Sequence, residues 1–542
     1  RIRTRSWTSG SRPLADRIAA EVLKPQLTDG REIAFLDVRE HGQYGEGHPF
    51  FSVPMPYSLL ESRAAKLLPC RVTRIVLMDD GDGVADRAAA RLGQLGYENL
   101  AVLEGGAPGW AAAGYTLYKG VNVPSKTFGE LLEHARDTPR LTAEALQSMR
   151  EREGAIVVLD GRTPAEFEKM SLPGAGSCPN AELGYRLRSL VPDDATTIVI
   201  NCAGRTRSIL GAEGLRLLDV RNPVYALENG TQGWRLAGFD LEHGVSPGTL
   251  APPKSEDLDA LRSLADSLIG RHGLELVSAR TVDDWLADAG RTTYLLDVRT
   301  DEEFAESHWP GARHAPGGQL VQATDEYVAV RNARLVLTDD IQLRAATTAI
   351  RLREMGHDVY ILDADATAGR EHASDTRDQG DSPADRAKAL RKGAGDADVI
   401  LDASRSMDFR DAHIDGARWV SRPTLDSLDI DRDAKVLVTG RNADLVEGVR
   451  VDLAAIGFSR LRACPAGPET WTDAGFDIVS TPDDPPDDSC IDYLFFVHDR
   501  HAGNLDAARR YLEWETGLVD QLDEQERSVF RTGSPGGPDA HA

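Results

Sequence analysis

One stretch of the 542-residue chain gathers groups able to do covalent chemistry: Asn201, Cys202, Ala203, Gly204, Arg205, Thr206, Arg207 and Ser208, set between the β-branched run TTIVI and the helical ILGAEGLRLL. A thiol there sits at the C-terminal end of a strand and faces the start of the next helix, where open α/β sheets bind ligands. The backbone N–H groups of such a loop and the helix dipole stabilise negative charge, and Arg205 and Arg207 add two cations. These surroundings predict a thiol pKa below about 8.5, with Cys202 partly thiolate near neutral pH and therefore the nucleophile. Gly204 is expected to let the backbone wrap its amides around the sulfur without a Cβ clash. Simple core packing, a common fate of a free cysteine, suits a loop of glycine and arginine poorly.

The elements that position this loop recur. An apolar run ending in Asp appears four times, as FLDVREHGQYGEGH, VLDGRTPAEFEKMS, LLDVRTDEEFAESH and ILDASRSMDFRDAH. The aspartates are Asp37, Asp160, Asp297 and Asp402, spaced by 123, 137 and 105 residues, and each has an aromatic seven residues on (Tyr44, Phe167, Phe304, Phe409). Such spacing is that of domains rather than solenoid units. A second strand follows each time (IVLMDDGDG, IVINCAGRT, LVLTDDIQL, VLVTGRNAD) and places Asp79, Cys202, Asp339 and Gly440 in one position, 42, 42, 42 and 38 residues after the first Asp. A third anchor, LEGGAPGW, LENGTQGW and more loosely CPAGPETW, puts Trp110, Trp234 and Trp471 31 or 32 residues after that loop, whereas the third repeat has lost its Trp. The unit reads strand, loop, strand, loop, helix, strand, which implies a mostly parallel sheet flanked by helices. Polar stretches with Pro or Gly after Tyr115, Glu242 and Asp363 read as linkers.

Three anchors in register over about residues 30 to 482 resemble rhodanese domains, and the chain as a whole resembles the four-domain, tandem-rhodanese thiosulfate sulfurtransferases. The phrases that carry the likeness are LLDVRTDEEFAESHWPGA, ILDASRSMDFRDAHIDGA and LENGTQGW. The resemblance implies an α/β chain of four tandem rhodanese-like domains: 20–118 (inactive), 123–245 (catalytic), 255–370 (inactive) and 380–482 (inactive), with a C-terminal helical tail at 486–542. It implies that Cys202 takes a sulfane sulfur as a persulfide and passes it to a thiol or cyanide acceptor by double displacement. It assigns the loop amides of Ala203, Gly204, Arg205, Thr206 and Arg207, with both guanidiniums, to the substrate's negative charge. Two arginines suit the thiosulfate dianion better than 3-mercaptopyruvate. No cofactor is implied, since the enzyme carries the sulfur itself. The first, third and fourth repeats lack the Cys and are expected to be inert. The second departs from the family phrase in carrying Ser171 where the others have His, and the first runs PFFSVPMP after His48.

Other residues read as framework. Asp160 and Arg162, like Asp37 with Arg39 and Asp297 with Arg299, recur in repeats without Cys and are expected to fix strand ends. The three tryptophans read as packing. Glu182 and Arg186 stand near enough in sequence to reach the pocket mouth, with substrate contact as the lesser alternative, and Cys178 reads as incidental rather than as a resolving thiol. Asp79-Asp80 and Asp339-Asp340 read as solvated loop charge. His498 and His501 lack a third ligand at metal-binding spacing, so no metal is expected. The segment DYLFFVHDR reads as an adhesive strip that docks the tail.

The balance of 62 basic against 87 acidic side chains, a formal −25, opposes binding to nucleic acid or anionic lipid. No stretch nears the roughly 18 apolar residues of a membrane helix. The opening RIRTRSWTSGSRPLADR, which reads as a shifted or truncated boundary, has no signal-peptide core. Five cysteines without a CxxC pair argue against a disulfide scaffold or structural zinc, and a cytoplasmic protein is expected. Two rival functions remain. A cysteine-dependent phosphatase or arsenate reductase keeps Arg at the sixth position after Cys, where this chain has Ser208. A non-catalytic binding scaffold would use the three loops that lack a nucleophile.

Overall fold

The computed structural model describes residues 15–152, 155–363, 371–372, 383–395, 397–498 and 504–533. The linker expected after Asp363, most of the final TGSPGGPDAHA, and Asp499 to His501 lie outside them.

The same all-parallel sheet forms in each repeat, because each β-branched run is too apolar to face water on either side. In the first, the order across the sheet is Asp16–Ile18, Leu100–Leu103, Arg74–Met78, Ile33–Asp37, Val53–Pro54. The second repeats it with Arg140–Leu141, Val224–Leu227, Thr197–Asn201, Ile156–Asp160, Gly176–Ser177. The third does so with Glu275–Val277, Asp358–Leu362, Arg334–Thr338, Thr293–Asp297, Arg313–His314. The fourth has four strands among the described residues: Leu461–Pro465, Val436–Gly440, Val399–Asp402 and Arg418–Trp419. Side chains alternate between faces, as the strand period requires. Val436 and Val438 enter a core with Leu401 and Val446, while Leu437 enters another with Leu390 and Trp471.

Sheet register fixes the loop position independently of the alignment. Asp37 pairs with Met78, Asp160 with Asn201, Asp297 with Thr338 and Asp402 with Thr439. The next residues are Asp79, Cys202, Asp339 and Gly440. Each loop feeds a helix, namely Val84–Gln94, Thr206–Leu217, Leu343–Glu354 and Ala443–Ala455.

The recurring Asp and Arg lock the strand ends. Arg162 donates from Nε and Nη2 to Asp160 at 2.8 Å each and from Nη2 to the Met170 carbonyl at 2.6 Å. Arg39 and Arg299 make the same bonds to Asp37 and Gly47, and to Asp297 and Ser307. The His of the repeat phrase is also framework. His48, His308 and His413 stack on Tyr44, Phe304 and Phe409 with ring centroids 3.7–4.2 Å apart. Ser171 takes the same place in the second repeat and pairs with Glu242, as His48 pairs with Tyr118.

The chain divides into two compact units. The first and fourth repeats make one (mainly 33–119 and 378–494); the second and third, with the tail, make the other (mainly 120–377 and 495–542). The tail is helix Leu505–Thr516 flanked by short helices Phe495–His498 and Glu524–Arg527. Phe496 of the expected adhesive strip packs on Trp514 and Tyr511. No helix among the described residues is long and apolar enough to cross a membrane.

Candidate active site

Cys202 follows strand Thr197–Asn201 and begins the turn into helix Thr206–Leu217. The third anchor holds this turn from below. Thr231 N–H donates to the Cys202 carbonyl at 2.8 Å, and Gln232 Nε2 donates to the Ala203 carbonyl at 3.0 Å. Gly230 has φ +52°, and a Cβ there would run into the Cys202 carbonyl oxygen. The first repeat solves the same problem with Gly106 beneath the Asp79 carbonyl. The ENGTQGW and EGGAPGW phrases are therefore loop buttresses, with Trp234 and Trp110 buried behind them.

The loops without a cysteine reveal what the turn is shaped to hold. Asp79 accepts backbone N–H bonds from Gly81, Gly83 and Ala85 at 2.9–3.0 Å. Asp339 accepts from Gln342, Arg344 (2.7 Å) and Ala345 (3.2 Å). Both aspartates are buried, 3% and 4% exposed, so the expectation of solvated loop charge fails for them: the amides, not water, satisfy the carboxylates. The amide six positions on is common to both loops, and its counterpart in the second repeat, Ser208, is among the groups that oppose the rise of the Cys202 thiol. At Gly440 a Cβ would stand 2.9 Å from the Ser404 nitrogen, so the fourth loop has no space for a side chain.

The charges around Cys202 differ from the sequence expectation. Burial pushes the thiol up, and Arg207 and Ser208 only partly oppose it. With Cys202 2% exposed, desolvation outweighs the electropositive loop, which corrects the expected thiolate near neutral pH. Arg205 donates to Glu130 at 2.7 and 2.9 Å and also to Glu133. Arg207 donates to both oxygens of Glu166 at 2.6 and 2.7 Å. Both guanidiniums are thus already paired with carboxylates rather than left for a ligand. Burial pushes Glu166 up, but Arg207 outweighs it and holds the carboxyl down at about 2. Burial raises Glu130 to about 7 against the pull of Arg205, with Glu515 and Glu133 adding to the rise.

Gly204 adopts no left-handed conformation, and its bare Cα faces Glu515, whose Oε2 would stand 2.9 Å from a Cβ there. Thr206 donates its hydroxyl to Glu515 Oε1 at 2.7 Å. Glu182 and Arg186 are buried in a network with Glu303 and Arg344 of the third repeat. Cys178 is a free, buried thiol that burial pushes far up. Among the described residues no group of acidic, His or Cys side chains is arranged for a metal. Sequence reasoning missed Glu130, Glu133, Glu166 and Glu515. Only Glu166 had a local signal, the T-x-x-E capping box that Thr163 and Glu166 form.

Comparison with known proteins accords with this geometry. The model of the rhodanese-like domain matches residues 19–113, 142–237 and 278–371. The crystal structure of a thiosulfate sulfurtransferase from Pseudomonas aeruginosa superposes with a TM-score of 0.85 at 37% identity, covering 95% of this chain and 99% of that one. The HTH-type transcriptional regulator Rv0324 of Mycobacterium tuberculosis is 31% identical over 128 residues, 21% of this chain, which spans about half (55%) of that regulator. With three matched segments, each centred on the sheet and loop described above, the chain belongs to the family of proteins built from rhodanese-like domains.

Proposed function

We propose that the chain is a sulfurtransferase that moves a sulfane sulfur through a persulfide on Cys202. The observation that carries this reading is that the equivalent side chain in two sister loops is an anion held by three backbone N–H groups. The turn is therefore suited to negative charge on the atom that Cys202 presents as sulfur. Thiosulfate is the favoured donor, supported by the activity named for the Pseudomonas protein; 3-mercaptopyruvate is the second choice. Cys202, once its thiol has given its proton to solvent, attacks the outer sulfur as thiolate, a new S–S bond forms as the old one breaks, and sulfite leaves with the bonding pair. A cyanide or thiolate acceptor then attacks the terminal sulfur of the persulfide, and Cys202 recovers its thiolate. Arg207 is the cation that acts on the sulfur, whereas Arg205 is turned to Glu130 and Glu133. The division into domains at 20–118, 123–245, 255–370 and 380–482, with only the second catalytic, is part of the proposal. So is a cytoplasmic location, which five free cysteines support.

Intact mass after incubation with thiosulfate tests it. The expected result is a gain of one sulfur, lost on adding cyanide and absent in Cys202→Ser. Turnover of p-nitrophenyl phosphate without an adduct would assign the loop to a phosphatase, and neither result would leave a scaffold.

A further inference from the structure

The tail brings a carboxylate onto the Cys202 loop. Glu515, on helix Leu505–Thr516, is 2% exposed. Its Oε1 accepts from the Thr206 hydroxyl at 2.7 Å, and its Oε2 is buried with no hydrogen-bond partner. That orphan oxygen is the one that a Cβ on Gly204 would meet at 2.9 Å, with a Tyr511 ring carbon at 3.6 Å from the same point. Glu515 therefore stands over the second and fourth residues after Cys202. A buried carboxylate oxygen without a partner costs free energy, so its persistence there points to a role in the site. Neither arginine of the loop donates a hydrogen bond to it. Arg205 is shared by Glu130 and Glu133, the second of which also meets Arg140, and Arg207 is taken by Glu166, so the hydrogen-bonded guanidiniums are engaged by carboxylates other than Glu515. In the two aspartate loops a carboxylate of the chain fills the turn from within; over the Cys202 loop one arrives from the tail.

We propose that Glu515 is a specificity-determining residue of the Cys202 site, its carboxylate occupying the place where the anionic part of a sulfur donor must sit. Anionic donors then compete with Glu515 and reach Cys202 by displacing the tail helix, whereas uncharged reagents meet only its bulk. Displacement also returns water to the thiol, removing the desolvation that holds it neutral. The proposal rests on Cys202 being the reacting thiol, so its test must separate charge at the site from sulfur chemistry.

The full-length chain and its Glu515→Gln and Glu515→Ala variants are alkylated with iodoacetate, an anion, and with neutral iodoacetamide, and the Cys202 peptide is followed by mass. Any change in thiolate population or in loop opening alters both rates together, so the ratio reports charge alone. Removing one nearby negative charge is expected to raise the iodoacetate-to-iodoacetamide ratio by about tenfold in Glu515→Gln, which keeps an acceptor for Thr206. Glu515→Ala is expected to show the same ratio with both absolute rates higher. An unchanged ratio in both variants overturns the proposal. Thiosulfate treatment of the same proteins separates the two readings. A shifted ratio with no sulfur adduct on any of them leaves the charge filter standing and removes sulfur transfer. An adduct with an unchanged ratio does the reverse.

Discussion

Asp79 and Asp339 stand where the second repeat has Cys202, and each places a carboxylate at the centre of a turn whose amides converge on it. Charge-assisted bonds of this kind are worth roughly 1.5–3 kcal/mol each where buried. Asp79→Asn replaces one acceptor oxygen by an NH2 group that faces backbone donors. We expect it to destabilise the first repeat by about 2 kcal/mol, read as roughly thirtyfold faster amide exchange at Gly81, Gly83 and Ala85, with no loss of chemistry at Cys202. Glu130 gives a pH-dependent prediction. Its folded pKa of about 7 lies above its ordinary value near 4.5, so the folded state holds the extra proton between these values. Its contribution is full below about pH 4.5 and is lost as pH rises through 7. Relative to Glu130→Gln, the parent protein should lose up to ~3 kcal/mol between pH 4.5 and 8. Denaturation of both proteins across that range, followed by exchange on helix Val123–Arg136, checks the sign.

At the scale of elements, the loop is positioned as much by the turn before helix Gly230–Leu236 as by its own sequence. Gly230→Ala combines an unfavourable positive φ with a Cβ that collides with the Cys202 carbonyl. We expect at least a hundredfold slower sulfur uptake from thiosulfate, since a displacement of about 1 Å at a reacting atom costs that much. Gly106→Ala, under the same strain beneath Asp79, should leave the uptake rate intact. The third anchor, the mostly parallel sheet and the equivalence of positions 79, 202, 339 and 440 were legible because they recur, and recurrence cancels local accident, whereas the anchor's service as a buttress under the Cys202 carbonyl was not. The carboxylates at the site were not. Glu130 and Glu515 stand 75 and 309 residues from their partners Arg205 and Thr206, appear once each, and leave no periodic trace. The thiol's shift was misjudged for the same reason: the loop's charges are local, but the tail that helps to exclude water from it is not.

Across the whole molecule, spacing along the chain does not tell which repeats pack together. The first joins the fourth, and the second joins the third. One device serves both unions, a buried arginine stacked on a tyrosine and clamped by carboxylates. Arg344 lies 4.1 Å from the Tyr185 ring and donates to Glu182, Glu303 and Asp340. Arg422 lies 4.3 Å from the Tyr57 ring and donates to Glu61 and Asp452. Both are almost wholly buried, and removing either cation takes charge-assisted bonds from carboxylates that keep only Arg186, Arg299 or Arg91, at a cost of about 3 kcal/mol. Arg344→Leu is therefore expected to speed amide exchange by at least a hundredfold on the facing helices Leu183–Leu190 and Leu343–Glu354. Arg422→Leu should do the same on Leu60–Leu67 and Ala443–Ala455. Replacing arginines and carboxylates together, as in Arg344→Leu with Arg186→Leu, Glu182→Leu and Glu303→Leu, should recover much of the loss, because Arg186 shares both glutamates and the penalty lies in the unpaired charges rather than in the missing contact. A quadruple variant no better protected than Arg344→Leu would show that stacking on Tyr185, and not charge pairing, holds the second and third repeats together.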